Sequence, residues 1–440
     1  MRKYVHRLVL ACAAILVAGS TQADHRISPR YDIEALETWL CLDCDSGGWQ
    51  REQLTEDLAH YRIDLTVGPG AFDRIVLHRV TAERAPGRPL RRQPGVFLAH
   101  GIVFGFQGTF LSSTAFDGVD DSRSLAVFLA RRGYDVWGLD FRWPNVPADT
   151  SDLEFIDSWG IQQDADDLGL ALTAARVSRL LSGNGLAPMH LLGYSRGGRI
   201  GYAYLNAESQ LPRPLRQVAG FIPLDAVFKA GTPELRGRAC ENVAAIEEAL
   251  SGGTYVDDFS FLPLAGTLAT QDPDGPSPVF PGLSNRQASL IIGARPSETG
   301  FHLVGGTFGA NGLPTGLRFT EEAYWNSFLG GAGAFQPLRG SLDASRIACD
   351  EEDVPWDDHL ADVRVPVFYV GAEGGNRETA AFTTTLLGSD DVETLVISQL
   401  PPGQNAFDFG HLDVLTGTDA EELVWEPILD WLRRHPARRR

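Results

Sequence analysis

Apolar residues recur along this chain with two different periods, and the switch between them sets out its architecture. Ile63, Leu65 and Val67, then Ile75, Leu77 and Val80, alternate with polar neighbours. A period of two predicts two half-buried strands over 62–83, antiparallel because only a short turn joins them. Further on, short apolar runs at 95–99, Asp135 to Phe141, Met189 to Tyr194 and Val218 to Asp225 predict buried strands. Between them, 120–133, 161–182 and Ile200 to Glu208 have helical spacing. Strands alternating with helices of this length imply right-handed crossovers and a mostly parallel sheet. The alternation stops over 226–362, where amphipathic helices near 236–250, 284–293 and 319–329 are separated by loops rich in Gly, Pro and aromatic residues. It resumes with strands at Val363 to Val370 and Val392 to Ile397 and closes with a helix from Ala420 to Arg434. Before the first strands, Ile33 to Leu40 and Gln53 to Tyr61 have helical spacing, so 24–60 reads as an N-terminal extension.

The chain has 440 residues, enough for one large domain carrying an inserted subdomain. Residues 1–23 have the pattern of a cleavable secretory signal: Arg2, Lys3 and Arg7, then an apolar stretch from Leu8 to Ala18, then Thr21-Gln22-Ala23. That stretch is too short to span a membrane, and no later run is long enough, so integral membrane association is not expected. The expected location is secreted or periplasmic. The formal charge of −19 becomes −22 without the leader, which removes three basic residues and no acidic ones. So acidic a chain is a poor partner for nucleic acid or anionic membrane surfaces. Four cysteines remain after cleavage, and an exported chain with an even number is expected to pair them. Cys41–Cys44 and Cys240–Cys349 are the favoured pairs, the second because both residues fall in or near one inserted region.

The candidate chemistry centres on Gly193-Tyr194-Ser195-Arg196-Gly197, where a strand turns sharply into a helix. A serine hydroxyl is a weak nucleophile until a base takes its proton, and the apex of a tight turn exposes it to base and substrate together. Glycines on either side remove side chains that would clash there. The next backbone N–H, on Arg196, points toward the charge that develops on a carbonyl oxygen under attack. His411, in Phe409-Gly410-His411-Leu412-Asp413, is the histidine that follows the last strand in a loop able to reach Ser195. The others fall in the leader, the N-terminal extension, the first strands, the nucleophile strand, the insertion, the basic tail or, for His100, the loop after the strand at 95–99.

With the Gly-x-Ser-x-Gly turn, the His100-Gly101-Ile102 loop and the late His411-Leu412-Asp413, the chain resembles the α/β-hydrolase superfamily, in its lipase and esterase branch. That resemblance implies a three-layer α/β fold with a mostly parallel central sheet, and a helical cap at 226–362 between core segments 61–225 and 363–440. It implies Ser195 as nucleophile, His411 as general base, and the backbone N–H groups of Ile102 and Arg196 as an oxyanion hole. Aromatic residues of the insertion, among them Phe259, Phe280 and Phe301, would line an acyl pocket or form the cap's own core. Asp413 is read as ordering the histidine loop, and Asp140 as a structural partner of Arg142.

Two carboxylates compete for the third catalytic place. Glu373 follows the strand at 363–370, where most of the superfamily carries its acid; Asp225 ends the strand at 218–225, a place resembling that of pancreatic-type lipases. A short side chain at a strand end is better held than a Glu between glycines, which favours Asp225. The expected activity is hydrolysis of small-molecule or lipid carboxylic esters through an acyl-enzyme, with no metal or organic cofactor. Acyl transfer, peptide cleavage or a non-catalytic binding role on the same fold are the alternatives. Dehalogenase and epoxide-hydrolase chemistry would need Asp where Ser195 stands.

Overall fold

The computed structural model describes residues 48–116 and 118–437. The leader, most of the extension and the Cys41–Cys44 pair lie outside the described residues.

The sheet begins with β1 (Gln50–Gln53), β2 (Leu58–Thr66) and β3 (Arg74–Ala85), which pair antiparallel. The helix expected over Gln53 to Tyr61 is therefore strand and turn. Its apolar spacing reflects two elements, Leu54 before a turn and Leu58 on the buried face after it, and not one helical stripe. The core accordingly starts about ten residues before the expected boundary at 61. Next come β4 (Gly95–Ala99), β5 (Asp135–Asp140), β6 (Met189–Tyr194), β7 (Val218–Leu224), β8 (Val367–Ala372) and β9 (Val392–Ile397). Their order is β1-β2-β3-β5-β4-β6-β7-β8-β9, with Arg88–Pro89 as a short branch on β3. From β5 to β9 all neighbours are parallel.

Alternate residues of each central strand feed two cores. Val96, Leu98, Leu192 and Ile222 face helices α1 (Leu125–Arg131) and the C-terminal Glu426–Arg434. Phe97, Leu191 and Phe221 face α2 (Ile161–Leu181) and α3 (Arg196–Glu208). Helices on both faces of a mostly parallel sheet give the three-layer α/β architecture.

Between β7 and β8 the chain leaves the sheet. It forms α4 (Pro233–Ser251), α5 (Phe261–Gln271), α6 (Asn285–Ala294), α7 (Glu322–Gly330) and α8 (Leu338–Cys349), with two small antiparallel ribbons. α4 starts with Thr232 capping Leu235 N–H and Pro233 in the first turn; α6 starts with a reciprocal Ser284–Gln287 capping box. α5 and α8 have no counterpart among the sequence expectations. Pro263 and Gly266 interrupt the first as a helical pattern, yet Gly266 serves a contact: a Cβ there would lie 2.4 Å from Gly330 N of α7. α8 packs along α4, and a Cys240–Cys349 disulfide joins them. No helix among the described residues is long and apolar enough to cross a membrane.

Candidate active site

Three loops at the C-terminal ends of β6, β7 and β9 bring Ser195, Asp225 and His411 to one edge of the sheet. Ser195 sits between β6 and α3 at φ 53° and ψ −119°, a conformation that side chains rarely adopt. The turn is held by Ser195 N–H donating to Leu224 O at 3.0 Å. It closes only because its neighbours lack side chains: a Cβ on Gly197 would come within 2.2 Å of Ala99 O, and one on Gly193 within 2.5 Å of Gly197 O. Arg196 is the first residue of α3, so its N–H has no acceptor inside the helix.

Asp225 is fully buried at the end of β7, also at positive φ (42°). Its carboxylate accepts from Ala372 N–H at 3.0 Å, from Asn376 N–H at 3.1 Å, and at 2.5 Å from Nδ1 of His411. Asn376 Nδ2 adds a bond to Asp225 O at 2.7 Å, and a Cβ on Gly375 would lie 2.2 Å from the carboxylate. The loop after β8 thus wraps Asp225. Glu373 lies in that loop but uses only its backbone: its N–H donates to Ile397 O, and its O accepts from Arg377 Nε. Its carboxylate makes no hydrogen bond or ion pair among the described residues.

The His411 ring stacks on Tyr194, the residue before Ser195, with centroids 4.9 Å apart, and Phe301 of the insertion packs at 5.2 Å. His411 N–H donates to His302 O, and Tyr194 Oη donates to His411 O. Asp413 is buried two residues on. It accepts from Gly410 N–H and Gly305 N–H at 2.7 Å each and from Thr320 Oγ1 at 2.6 Å, so it pins the histidine loop to the insertion. Burial pushes its pKa up to about 6. With Asp225 on His411 Nδ1, the Nε2 atom is left as the ring's proton acceptor; Ser195 Oγ makes no hydrogen bond among the described residues.

His100 is fully buried, and burial pushes its pKa down to about 4. Its Nε2 accepts from Phe141 N–H at 3.1 Å, so the proton sits on Nδ1, which donates to Gly101 O at 2.8 Å. The following loop approaches Ser195 closely, since a Cβ on Gly101 would lie 3.1 Å from Ser195 Cβ. Ile102 is partly exposed above it, and Gly333 N–H of the insertion donates to Val103 O at 2.5 Å.

The expected Asp140–Arg142 pair does not form. Arg142 binds Asp167 and Asp73, at 2.7 and 2.5 Å, on the α2 side of the sheet. Asp140 belongs instead to a buried group that sequence reasoning missed. Its carboxylate accepts from Phe106 N–H at 2.5 Å and lies 3.1 Å from His78, whose Nδ1 is 2.9 Å from His60 Nε2. Burial would raise the Asp140 pKa, but His78 and the Phe106 N–H hold it at about 2. His60 and His78 are both buried on paired strands, on the face of Leu58 and Val80 and opposite to Ile63, Leu65, Ile75 and Leu77, where the alternation reads as polar.

Two groups among the described residues have the donor count for a metal, and neither borders Ser195. In one, Cys240 and Cys349 are consumed by the disulfide; in the other, Asp391, Glu393 and His435, Glu393 is already paired with Arg434.

No family model and no curated protein matches the chain. Solved structures do. A candidate lipase from Sulfolobus solfataricus superposes with a TM-score of 0.61 at 22% identity, over 88% of this chain and 99% of that one. A soluble variant of monoglyceride lipase from Saccharomyces cerevisiae, with a substrate analogue, matches with a TM-score of 0.46 at 14% identity, over 90% and 98%.

Proposed function

We propose that this chain, whose sheet order and superposition give it the α/β-hydrolase fold, is an exported carboxylic-ester hydrolase of esterase or lipase type. The observation that carries the reading is the buried Asp225–His411 contact at 2.5 Å beside the strained turn at Ser195. In the proposed reaction Ser195 Oγ attacks the ester carbonyl while His411 Nε2 takes its proton. Asp225 keeps the Nδ1 tautomer and stabilises the imidazolium. The N–H groups of Arg196 and Ile102 receive the oxyanion; one such donor is typically worth about 3 kcal/mol in the transition state. Collapse expels the alcohol, which takes its proton from His411. Water then attacks the acyl-enzyme with His411 as base, releasing the acid and restoring Ser195. No step calls on a redox change or an organic cofactor. The segment 226–362 is the cap, and Asp225, not Glu373, is the acid. The leader-like residues 1–23 and the Cys240–Cys349 disulfide support export into an oxidising compartment.

The test is a p-nitrophenyl ester chain-length series on the wild type and Ser195→Ala, with fluorophosphonate labelling of both. Hydrolysis and labelling should vanish together in a variant whose circular dichroism is unchanged. Activity within tenfold of wild type in folded Ser195→Ala would reject the mechanism.

A further inference from the structure

The loop after β4 carries Ile102, whose N–H is the second oxyanion donor of the proposed reaction, and its backbone is strained. Val103 sits at φ 58°, in the left-handed region that a β-branched side chain avoids. Phe104 N–H donates back to Ile102 O at 2.8 Å, closing a turn of three residues around Val103. A conformation of this kind persists only where its surroundings hold it. The insertion supplies one such hold, Gly333 N–H to Val103 O at 2.5 Å.

Both ends of the loop are also tied to the end of β5. At the start, His100 Nε2 accepts from Phe141 N–H at 3.1 Å. At the far end, Asp140 Oδ1 accepts from Phe106 N–H at 2.5 Å. Gly105 runs against the same carboxylate: a Cβ there would lie 2.4 Å from Asp140 Oδ1. The other oxygen, Oδ2, lies 3.1 Å from Nε2 of His78, whose Nδ1 is 2.9 Å from His60 Nε2. The two imidazole rings are parallel with centroids 5.2 Å apart, and the Phe106 ring stacks on His78 at 4.7 Å. Burying two histidines costs desolvation that apolar side chains would not, and burial pushes the His60 pKa down to about 3. What the histidines supply is a carboxylate that cannot turn: one oxygen faces His78, so the other stays against the loop backbone.

We propose that Asp140 is a positioning residue for ester hydrolysis, holding the loop 101–105 in its strained form so that Ile102 N–H meets the oxyanion. His78, backed by His60, fixes the rotation of the carboxylate. A donor of this kind acts only when aimed at the place the oxyanion takes in the transition state. A displaced loop therefore lowers turnover and leaves ground-state binding of the ester nearly unchanged. The inference rests on the ester-hydrolase reading and adds a residue to its machinery.

The experiment measures hydrolysis of p-nitrophenyl hexanoate and inhibition by pentyl trifluoromethyl ketone. The ketone has the same chain, and its adduct with Ser195 Oγ puts an oxygen where the oxyanion would sit. Asp140→Ala should lower kcat about 100-fold with KM within about threefold, and should weaken the ketone by about as much as it lowers kcat/KM. Asp140→Asn keeps an oxygen for Phe106 N–H, and His78 can meet its amide through the other tautomer, so activity should return to within about tenfold of wild type. Gly105 is extended at φ −80°, so Gly105→Ala adds no backbone strain, and the nearest atoms its Cβ meets all belong to Asp140. That variant should lose about tenfold in kcat, and combined with Asp140→Ala it should lose nothing further, since the clash is then gone. A kcat within about threefold of wild type in folded Asp140→Ala overturns the proposal. So does a loss that falls on KM and leaves the ketone's affinity unchanged, an Asn variant as impaired as the Ala one, or fully additive losses in the double variant. If Asp140→Ala does not fold, Gly105→Ala decides: unchanged kcat and ketone affinity overturn the proposal. A wild type that neither cleaves the ester nor takes up a fluorophosphonate defeats the hydrolase reading itself, and the proposal falls with it.

Discussion

The sheet edge that carries Ser195, Asp225 and His411 and the insertion beside it are held by different mixtures of contacts. At the sheet edge, backbone packs on backbone. Ser195 N–H is bonded to Leu224 O, Asp225 N–H to Val370 O, and Gly197 has no room for a Cβ. The insertion adds to its backbone bonds, such as Gly333 N–H to Val103 O, a set of side-chain ties: Asp413 reaching Gly305 and Thr320, Arg339 reaching Asp157, and within the insertion Lys229 held by Asp350 and Asp357 and one disulfide. Backbone packing leaves positions fixed to fractions of an ångström, which acyl transfer requires. Side-chain fastenings can be exchanged singly without moving the strands. The contrast teaches that changes at the sheet edge should act on turnover, and changes in the insertion on stability and substrate choice.

The sharpest test compares two acids on that edge. Asp225→Asn should lower kcat by ~10³–10⁴-fold, since an amide favours the wrong imidazole tautomer. Glu373→Gln, whose carboxylate makes no hydrogen bond or ion pair among the described residues, should stay within about threefold. A reversed pair of results would transfer the acid role. Circular dichroism must accompany the kinetics, because Asp225 also anchors the loop at Asn376.

Removing the disulfide with Cys240→Ser and Cys349→Ser opens a loop of sequence separation 109. Native disulfides typically contribute about 2–5 kcal/mol, so chemical denaturation should show a loss of that order. The turnover of the folded double variant should change by less than about tenfold. A larger loss in kcat than in stability would break the contrast drawn above.

Two glycines sharpen it further. Gly197→Ala sets a Cβ against Ala99 O and His100 O, and overpacking of this kind costs about 1–3 kcal/mol along with most activity. Gly237, exposed in α4, has nothing within 4 Å of a built Cβ. Gly237→Ala should therefore stabilise by about 0.5–1 kcal/mol. Thermal melts of the two would show shifts of opposite sign.

A further effect is one of pH. Glu208, buried at the end of α3, has its pKa pushed up by burial to about 7 from an ordinary value near 4.5. Between those values the folded protein keeps a proton that the unfolded chain has released. Stability from this group is thus present at low pH and lost as pH rises through the window, with a slope of at most about 1.4 kcal/mol per pH unit. Glu208→Gln should flatten the stability profile between about pH 4.5 and 7. An unchanged slope would assign it to Asp167 or Asp413, whose pKa values burial also raises, each to about 6.

The same contrast decided what could be read from the sequence. Strands buried on both faces appear as unbroken apolar runs, so Met189 to Tyr194 and Val218 to Leu224 were legible with their ends, and with them the positions of Ser195 and Asp225. His411 was legible because it follows the last strand. In the insertion, Pro263 and Gly266 break the helical pattern of α5, while the shorter α6 and α7 keep theirs and were legible. Gln53 to Tyr61 misled because a turn between the edge strand β1 and its neighbour β2 imitates helical spacing. Asp140 was assigned to Arg142 by proximity in sequence. The two leave opposite faces of the sheet, and the true partners, His78 and Phe106, are distant in the chain.

The disulfide between α4 and α8 has a consequence for the integrity of the chain. A protease that cuts any loop between residues 240 and 349 severs the polypeptide but not the molecule. The two fragments stay covalently joined beside the sheet and would part on a gel only under reduction. Ser195 lies on the N-terminal fragment and His411 on the C-terminal one, so this single sulfur bridge would keep both halves of the proposed machinery in one particle in a protease-rich surrounding.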